Sequence, residues 1–432
     1  MERLVLPPAY IARLLNRFLR YVTVNTQSNG RAPEGCCPTT PGQYELATML
    51  ADELAACGAV DVRLADNGYV YATVPSNLPA NHPARAKLPV IGLMSHLDTA
   101  AEAPGQDVRP RVVQDYDGSD LGYPDDPHLK LTVAENPELA CCLGHTLVTA
   151  SGQTLLGADD KAGLAEIMTV VEYLSREGVP HGEIRVCFNP DEEIGRGTDH
   201  IDLAKFPVQC AYTVDGGTLG EIEDECFNAA TAEITITGKS VHPGYAKGKM
   251  VNAYRVLARI IDRLPEEALP ENTDGRAPYR FPYALTSKEP SPGNVSFAFL
   301  LRAFTEKELT EMEVGLRRLC REAEEQFPGA TVEVKVKQQY RNMKSVLDQH
   351  PLVMEVLEAA CRQQGVATIK KPIRGGTDGS ALSINHGIPT PNIWTGAMNM
   401  HGQREWISLR WMTSAVETVL ATLALWVERC SS

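Results

Sequence analysis

Residues 155–178, LLGADDKAGLAEIMTVVEYLSREG, place two adjacent carboxylates directly before an apolar helical stretch. An aspartate near a helix start is favourable, because it caps free backbone N–H groups and interacts with the helix dipole. That effect explains one of Asp159 and Asp160 but not both, since neighbouring like charges repel. The stretch from Lys161 predicts a helix of about four turns that ends at Gly178, a typical C-cap residue. The second acid therefore needs a chemical explanation.

Four short apolar runs surround this helix in the sequence, and each is followed at once by polar residues. Runs of this kind, alternating with helical segments, indicate buried strands of an α/β sheet. We predict a mostly parallel central sheet flanked by helices. Ligands bind beyond the carboxyl ends of the strands in such sheets, which is where the acids and histidines of this chain stand. The runs are LPVIGLMSHLD (88–98), EIRVCFNPDEE (183–193), CAYTVDGG (210–217) and PTPNIWTGAMNMHG (389–402).

The middle of the chain has a different pattern. Segments typical of strand, helix, strand, helix and strand follow one another there, which predicts a small α+β domain at 224–342. Residues 1–223 and 343–432 would form the larger, catalytic domain around this insertion. The Pro- and Gly-rich stretch 269–294 is expected as a long connection within the insert. The predicted segments are 231–238, 249–265, 294–304, 305–327 and 331–340.

Composition limits the classes of partner. The chain has 432 residues and a formal net charge of -14, which argues against nucleic acid or an anionic membrane as the main partner. The sequence has no apolar run near the roughly 20 residues that a membrane helix needs, and its N-terminus lacks the pattern of a signal peptide. Its 11 cysteines are odd in number and include no C-x-x-C, so we expect a reducing, cytoplasmic location.

Two pairs of residues at strand ends have spacings that suit a metal-binding site. His96 and Asp98 are at i and i+2, so they point to one face of an extended chain. A carboxylate in that position can fix the tautomer of a metal-binding imidazole. Glu192 and Glu193 are neighbours and face opposite ways, so one can bind a metal while the other handles a proton.

The candidate ligands form a set only when all the strand ends are taken together. Two imidazoles and three carboxylates, without a thiolate, suit two Zn²⁺-like ions about 3.5–4 Å apart that share one carboxylate. Two dications reverse the local electrostatics, which would explain the adjacent acids at 159–160. The glycine-rich turn 375–380, which follows Arg374, does not match a phosphate-binding P-loop, because it lacks the trailing Lys-Ser/Thr. The set consists of His96, Asp159, Glu193, Asp215 and His401.

Longer blocks of sequence make the chain recognisable along nearly its whole length. They are FLRYVTVNTQS (18–28), SHLDT (95–99), TLLGADDKAGLAEIMT (154–169), PHGEIRVCFNPDEEIGRG (180–197), AYTVDGG (211–217), VHPGYAKGKMVNA (241–253), KPIRGGTDGS (371–380), PNIWTG (391–396) and HGQREW (401–406). With these blocks the chain resembles the tripeptidase branch of the M20 family of zinc metallopeptidases. The resemblance implies that Asp159 bridges two zinc ions, with cobalt or manganese as alternatives, and that its peptide bond to Asp160 is cis. His96 and Asp215 would complete one site, and Glu193 and His401 the other.

The same resemblance implies an activity, the removal of the N-terminal residue from tripeptides. Asp98 would orient His96, and Glu192 would be the general base. His242 would reach the reacting carbonyl, and Arg374 would hold the carboxylate of the substrate and so measure peptide length. The inserted domain would be a ferredoxin-like lid, with a homodimer through this domain left open.

Some stretches depart from the tripeptidase pattern. The largest departure is 270–296, where a Pro-rich sequence replaces a block expected to contact substrate, and 29–41 and 100–140 differ as well. Two alternatives therefore stay open: a dipeptidase, carboxypeptidase or N-acyl amino acid deacylase with the same metal pair, and a non-catalytic metal-binding scaffold or solute-binding protein.

Overall fold

The computed structural model describes residues 3–33 and 35–431, which form two compact units. The larger unit extends to Asp224 and also contains Ser345–Lys371 and the chain from Thr377 onward. The smaller unit is Glu225–Lys344 together with Pro372–Gly376. The sequence analysis assigned 372–376 to the larger domain, whereas the structure places these residues in the smaller unit.

The elements follow in chain order. The helices are α1 (Pro8–Tyr21), α2 (Pro41–Ala56), α3 (Ala158–Glu177), α4 (Ala253–Asp262), α5 (Glu306–Gln326), α6 (Lys344–Leu347), α7 (Pro351–Gln364), α8 (Asp378–His386) and α9 (Leu409–Ser431). The strands are β1 (Val60–Leu64), β2 (Val70–Val74), β3 (Ile91–His96), β4 (Arg111–Val113), β5 (Leu121–Tyr123), β6 (Asp126–Leu131), β7 (Leu147–Thr149), β8 (Ile184–Asn189), β9 (Cys210–Gly216), β10 (Glu221–Glu223), β11 (Asn228–Thr237), β12 (Tyr279–Leu285), β13 (Asn294–Ala303), β14 (Thr331–Gln338), β15 (Ile369–Lys370), β16 (Asn392–Trp394), β17 (Ala397–Met398) and β18 (Trp406–Ser408).

An eight-stranded sheet runs through the larger unit in the order β1-β2-β8-β3-β9-β16-β10-β15. Its centre, β8-β3-β9-β16, is parallel, and the four runs predicted as buried strands supply these four neighbours. The pairs β1·β2, β2·β8 and β10·β16 are antiparallel. The sheet is therefore mixed, with parallel pairing in the part that presents the polar strand ends.

Helix α3 lies against the centre of this sheet and is buried along most of its length. Its apolar residues, among them Leu164, Ile167 and Val171, are fully buried in the main core. It ends before Gly178, which has a φ of 70°, as the sequence predicted. Asp159 and Asp160 have non-helical backbone angles, so the regular helix starts after them.

The larger unit also contains a small sheet in the order β17-β18-β7-β4. Strand β7 leads through 150–157 to Asp159, and β18 begins five residues after His401. Antiparallel pairing of β7 with β18 brings these two distant segments side by side. The helices of the described chain include none that is both long and apolar enough to cross a bilayer.

The smaller unit has an antiparallel sheet in the order β12-β13-β11-β14. Helices α4 and α5 cover one face of it and enclose a separate core with Ile234, Phe299 and Leu316. The chain order is strand, helix, strand, strand, helix, strand. This succession contains one strand more than the sequence predicted.

The additional strand is β12, which lies within the stretch expected as a connection. It pairs with β13, and its register shifts between Pro282 and Ala284. β12 is at the edge of the sheet, where a proline does not break a hydrogen-bonded ladder on both sides. The proline and the irregular register explain why the pattern of this strand was not recognised.

Candidate metal centre

His96 closes the fully buried strand β3, and its side chain is only 2% exposed. Its Nδ1 lies 3.0 Å from the backbone oxygen of Asp98 and 3.4 Å from the Asp98 carboxylate. The Asp98 carboxylate also accepts hydrogen bonds from the backbone N–H groups of Glu192 and Glu193, at 2.9 and 3.1 Å. Asp98 thus joins the imidazole to the turn that carries both glutamates.

Asp159 lies between the two histidines of the candidate set. One oxygen, Oδ1, is 3.0 Å from His96 Nε2, and the other, Oδ2, is 3.2 Å from His401 Nε2. The side chains of Asp215 and Glu193 complete the group: Asp215 Oδ1 is 3.5 Å from His96 Nε2, and Glu193 Oε2 is 3.1 Å from His401 Nε2. The structure therefore brings all five candidate ligands together.

Asp160 also lies in this cluster, although it was not among the candidate ligands. The peptide bond between Asp159 and Asp160 is cis, as the resemblance implied. Asp160 Oδ2 accepts from Ser95 Oγ at 2.5 Å and from the His96 backbone N–H at 3.2 Å. Its carboxylate is within ligand range of His96 and Asp215, as Asp159 and Glu193 are with His96. The existing hydrogen bonds give Asp160 a supporting position at the end of β3.

The charges in the cluster shift one another strongly. Hydrogen bonds to Asp159 and Glu193 raise the pKa of His401 to about 11. Burial lowers the pKa of His96, but Asp215 and Asp159 outweigh burial and raise it well above its usual value. Burial raises the pKa of the two carboxylates, that of Glu193 to about 7 and that of Asp215 to about 6. This concentration of buried acids needs positive charge.

The donor set fits divalent cations. Glu193 Oε1 is buried and has no hydrogen-bond partner within the described chain, so it has lone pairs available to a metal. Imidazole nitrogens and carboxylate oxygens are ligands of zinc and of related first-row ions. The second ring nitrogen of His96 is held by Asp98, an arrangement common around metal-binding histidines.

Glu192 follows Asp191, which has a φ of 63° and begins a short 3₁₀ turn, Glu192–Ile194. The Asp191 carboxylate accepts from Gln43 Nε2 at 2.8 Å, which anchors the turn. Burial, and then the nearby charge of Asp378, raise the pKa of Glu192 well above its ordinary value. A carboxylate with raised proton affinity is suited to accepting and releasing a proton.

Glu405 supports the backbone around Asp159, and the sequence analysis did not single it out. It is 1% exposed and accepts hydrogen bonds from the backbone N–H groups of Leu156, Gly157 and Asp159, at 2.7, 2.7 and 3.1 Å. Burial raises its pKa to about 7 despite these bonds. Its position four residues after His401, within HGQREW, was the available signal.

His242 and Arg374 both belong to the smaller unit. His242 is exposed, and its Nδ1 accepts from the Gly244 backbone N–H at 3.2 Å. Arg374 belongs there because Ile373 forms a parallel bridge with Cys226 and accepts a hydrogen bond from the Phe227 N–H at 3.1 Å.

The chain is similar to known peptidases along most of its length. The sequence model of peptidase family M20/M25/M40 matches residues 155–425. Peptidase T of Geobacillus thermodenitrificans is 42% identical over 420 residues, which cover 97% of this chain and 99% of the relative.

Two solved structures share the fold. The aminopeptidase PepT of Bacillus cereus has a TM-score of 0.73 at 22% identity, covering 97% of this chain and 99% of its own. A dinuclear metal-binding peptidase of the M20 family from Bacillus subtilis has a TM-score of 0.65 at 14% identity, covering 98% and 99%. At these identities the likeness is one of fold.

Proposed function

The chain belongs to peptidase family M20/M25/M40, and we propose that it is a two-metal aminopeptidase that removes the N-terminal residue from tripeptides. One observation carries the proposal. The two oxygens of Asp159 face different histidines, His96 and His401, which supports two neighbouring cation positions with Asp159 as the shared ligand. Two-metal sites of this kind serve hydrolysis in aminopeptidases.

The proposed cations are zinc ions, with cobalt or manganese as alternatives, because this ligand set discriminates poorly among them. His96 and Asp215 would hold one ion, and Glu193 and His401 the other. Asp159 would contact both. Two contacts support this grouping, since Asp215 is 3.5 Å from His96 and Glu193 is 3.1 Å from His401.

Divalent cations at these positions would polarise a peptide carbonyl and lower the pKa of a bound water. We assign the proton transfers to Glu192. Its carboxylate takes a proton from the attacking water and delivers it to the departing amine. Asp98 supports this role, because it holds the backbone N–H groups of both Glu192 and Glu193.

We propose that His242 and Arg374 bind the substrate. The imidazole of His242 would stabilise negative charge on the reacting carbonyl oxygen. The guanidinium of Arg374 would bind the C-terminal carboxylate by paired hydrogen bonds. A guanidinium that binds the C-terminal carboxylate favours peptides whose length places that carboxylate within its reach. Binding by Arg374 therefore supports tripeptides over longer chains as substrates.

The smaller unit would be a ferredoxin-like lid in this proposal, and a face through which a homodimer can form. Its strand and helix order and its sheet order are compatible with that fold. A reducing, cytoplasmic setting is supported by the cysteines, all 11 of which are free.

The decisive experiment compares Glu192→Gln with the wild type and with Glu333→Gln, a control whose side chain is exposed on strand β14. Metal analysis should give two ions per chain in all three proteins. Turnover of trialanine should fall by roughly 10²–10⁴-fold in E192Q alone. Unchanged turnover in E192Q would remove the proton-transfer role.

Substrate length and the free amine test the rest of the proposal. The wild type should cleave trialanine much faster than tetra- and penta-alanine, and N-acetyl-trialanine should not be cleaved. Equal turnover across the length series would reject length selection by the carboxylate. Cleavage of the acetylated peptide would favour a deacylase.

A further inference from the structure

Arg374 is tied to a loop of its own unit by three hydrogen bonds. Its Nη1 donates to the backbone oxygens of Gly275 and Ala277, at 2.8 and 3.2 Å, and its Nη2 donates to Thr273 Oγ1 at 2.8 Å. These partners lie in the stretch where the sequence departs from the tripeptidase pattern. Residues of this divergent stretch therefore contact the guanidinium directly.

Two aromatic rings also lie close to the Arg374 guanidinium. Its Cζ lies 5.1 Å from the ring centre of Phe227 and 5.4 Å from that of Tyr279. The two rings are in edge-to-face contact with each other, 5.5 Å apart. Aromatic rings at these distances attract a cation and limit its rotation.

The loop is itself anchored, and through the same part of the chain. Arg276 Nε donates to the Glu225 carboxylate at 2.9 Å. The Glu225 backbone oxygen accepts from the Ile373 N–H, also at 2.9 Å. Glu225 thus holds the loop with its side chain and the residue before Arg374 with its backbone.

The hydrogen-bond inventory of the guanidinium decides which edge stays available. Arginine has five N–H donors, and the three contacts use both N–H groups of Nη1 and one of Nη2. Within the part of the chain that the structure describes, the Nε–H and the second Nη2–H form no hydrogen bond. Those two groups can form the side-on pair that binds a carboxylate with two parallel hydrogen bonds.

We propose that loop 273–277 is a clamp that aims the Nε–Nη2 edge of Arg374 at the C-terminal carboxylate of the peptide, and that Thr273 is a positioning residue for this recognition. The inference rests on the proposed function, in which Arg374 binds that carboxylate. Thr273 acts through the guanidinium, so its loss should weaken binding of the carboxylate and leave the chemical step unchanged.

The test compares trialanine with trialanine amide, which lacks the terminal charge, in the wild type and in Thr273→Val. Loss of one net hydrogen bond corresponds to about a fivefold change. T273V should raise the KM for trialanine about fivefold at nearly unchanged kcat, and leave both constants for the amide unchanged. Thr273→Ser retains a hydroxyl and should restore the wild-type KM.

Two further variants separate the clamp from other effects. Thr286→Val removes another threonine hydroxyl of the same unit, which donates to Glu233, and should not alter the ratio of acid to amide. Arg374→Gln should raise the KM for trialanine by at least about tenfold and leave the amide unaffected. The thermal midpoint of each variant reports whether the fold is retained.

The outcomes distinguish failure of the clamp from failure of the proposed role of Arg374. If R374Q discriminates acid from amide but T273V changes both KM values alike, or neither, the clamp is refuted and the role of Arg374 stands. If R374Q does not discriminate, Arg374 does not read the carboxylate, and the proposed function loses that residue together with the clamp.

Discussion

Glu405 holds the backbone of Asp159, since its Oε1 accepts the Asp159 N–H at 3.1 Å. The same carboxylate accepts two more backbone N–H groups through Oε2. The orientation of Asp159, the proposed shared ligand, therefore depends on a buried acid 246 residues away in the sequence.

Substitution of Glu405 by Gln should weaken metal binding. A glutamine amide has one acceptor oxygen, so its NH₂ group must face at least one backbone donor that Glu405 now satisfies. Loss of such supporting contacts typically costs 10–100-fold in metal affinity, which competition with a metal-binding dye can measure. Glu417→Gln is the matched control, because Glu417 accepts one N–H, from Leu6, and glutamine retains that bond. Equal metal affinity in the two variants would contradict the role of Glu405.

Removal of metal should abolish activity without unfolding the protein. The core of the larger unit is built from apolar side chains such as Leu164 and Val171, so we expect the fold to persist when the ions are removed. Saturating metal stabilises the native state by about 4 kcal/mol at a concentration 1,000 times Kd, so the thermal midpoint should fall on chelation. Far-UV circular dichroism and activity after addition of Zn²⁺ check both statements. Global unfolding on chelation would contradict them.

Gly163→Ala should damage the centre through helix α3. A Cβ at this position would lie 2.0 Å from the Val214 backbone oxygen and 2.5 Å from Asp160 Oδ1, so α3 must shift away from β9. Overpacking of this kind costs roughly 1–3 kcal/mol or more, visible in urea denaturation, and metal affinity should fall as well. Gly122→Ala is the control, since a Cβ there meets no atom of the described residues within 4 Å. A stable, metal-binding G163A protein would show that the packing of α3 tolerates displacement.

Arg17→Met should destabilise the protein through contacts that involve none of the five candidate ligands. The Arg17 guanidinium pairs with Glu172 and Glu53, each at 2.7 Å, and the side chains of Arg17 and Glu172 are 7% and 3% exposed. Removal of Arg17 takes one charged partner from the buried Glu172. Glu172 keeps its pairs with Arg13 and Arg176, so we expect a cost of about 1.5–3 kcal/mol.

The free energy of unfolding from urea titration tests this value, and the activity of the folded fraction should stay unchanged. Arg263→Met is the comparison, because its pair with Glu322 is exposed and should contribute less than about 1 kcal/mol. Similar losses in the two variants would show that burial does not determine the effect.

The parallel centre of the large sheet was predictable from local sequence. Strands β3, β8, β9 and β16 are continuous apolar runs, because parallel strands are covered on both faces. Helix α3 was predictable from its apolar residues and from Gly178. Strand β12 was not, since Pro282 weakens its pattern and only pairing with β13 makes it a strand.

The candidate ligands were predictable as residue types at strand ends, whereas their supporting residues were not. Glu405 has no pattern of its own, and its importance comes from three backbone groups around Asp159. Arg374 was assigned to the larger domain because the chain returns to α/β character nearby, yet backbone contacts with Cys226 and Phe227 place it in the smaller unit.

The sequence by itself determined the residue types of the candidate metal centre, the strands that end in them and the helix that follows Asp159, because periodicity, capping and turn preferences act over a few residues. Only the tertiary structure decided which atoms meet. Asp159 faces His96 across 63 residues and His401 across 242. Such contacts depend on the order of strands in the sheet and on the paths of loops, and no local preference encodes either.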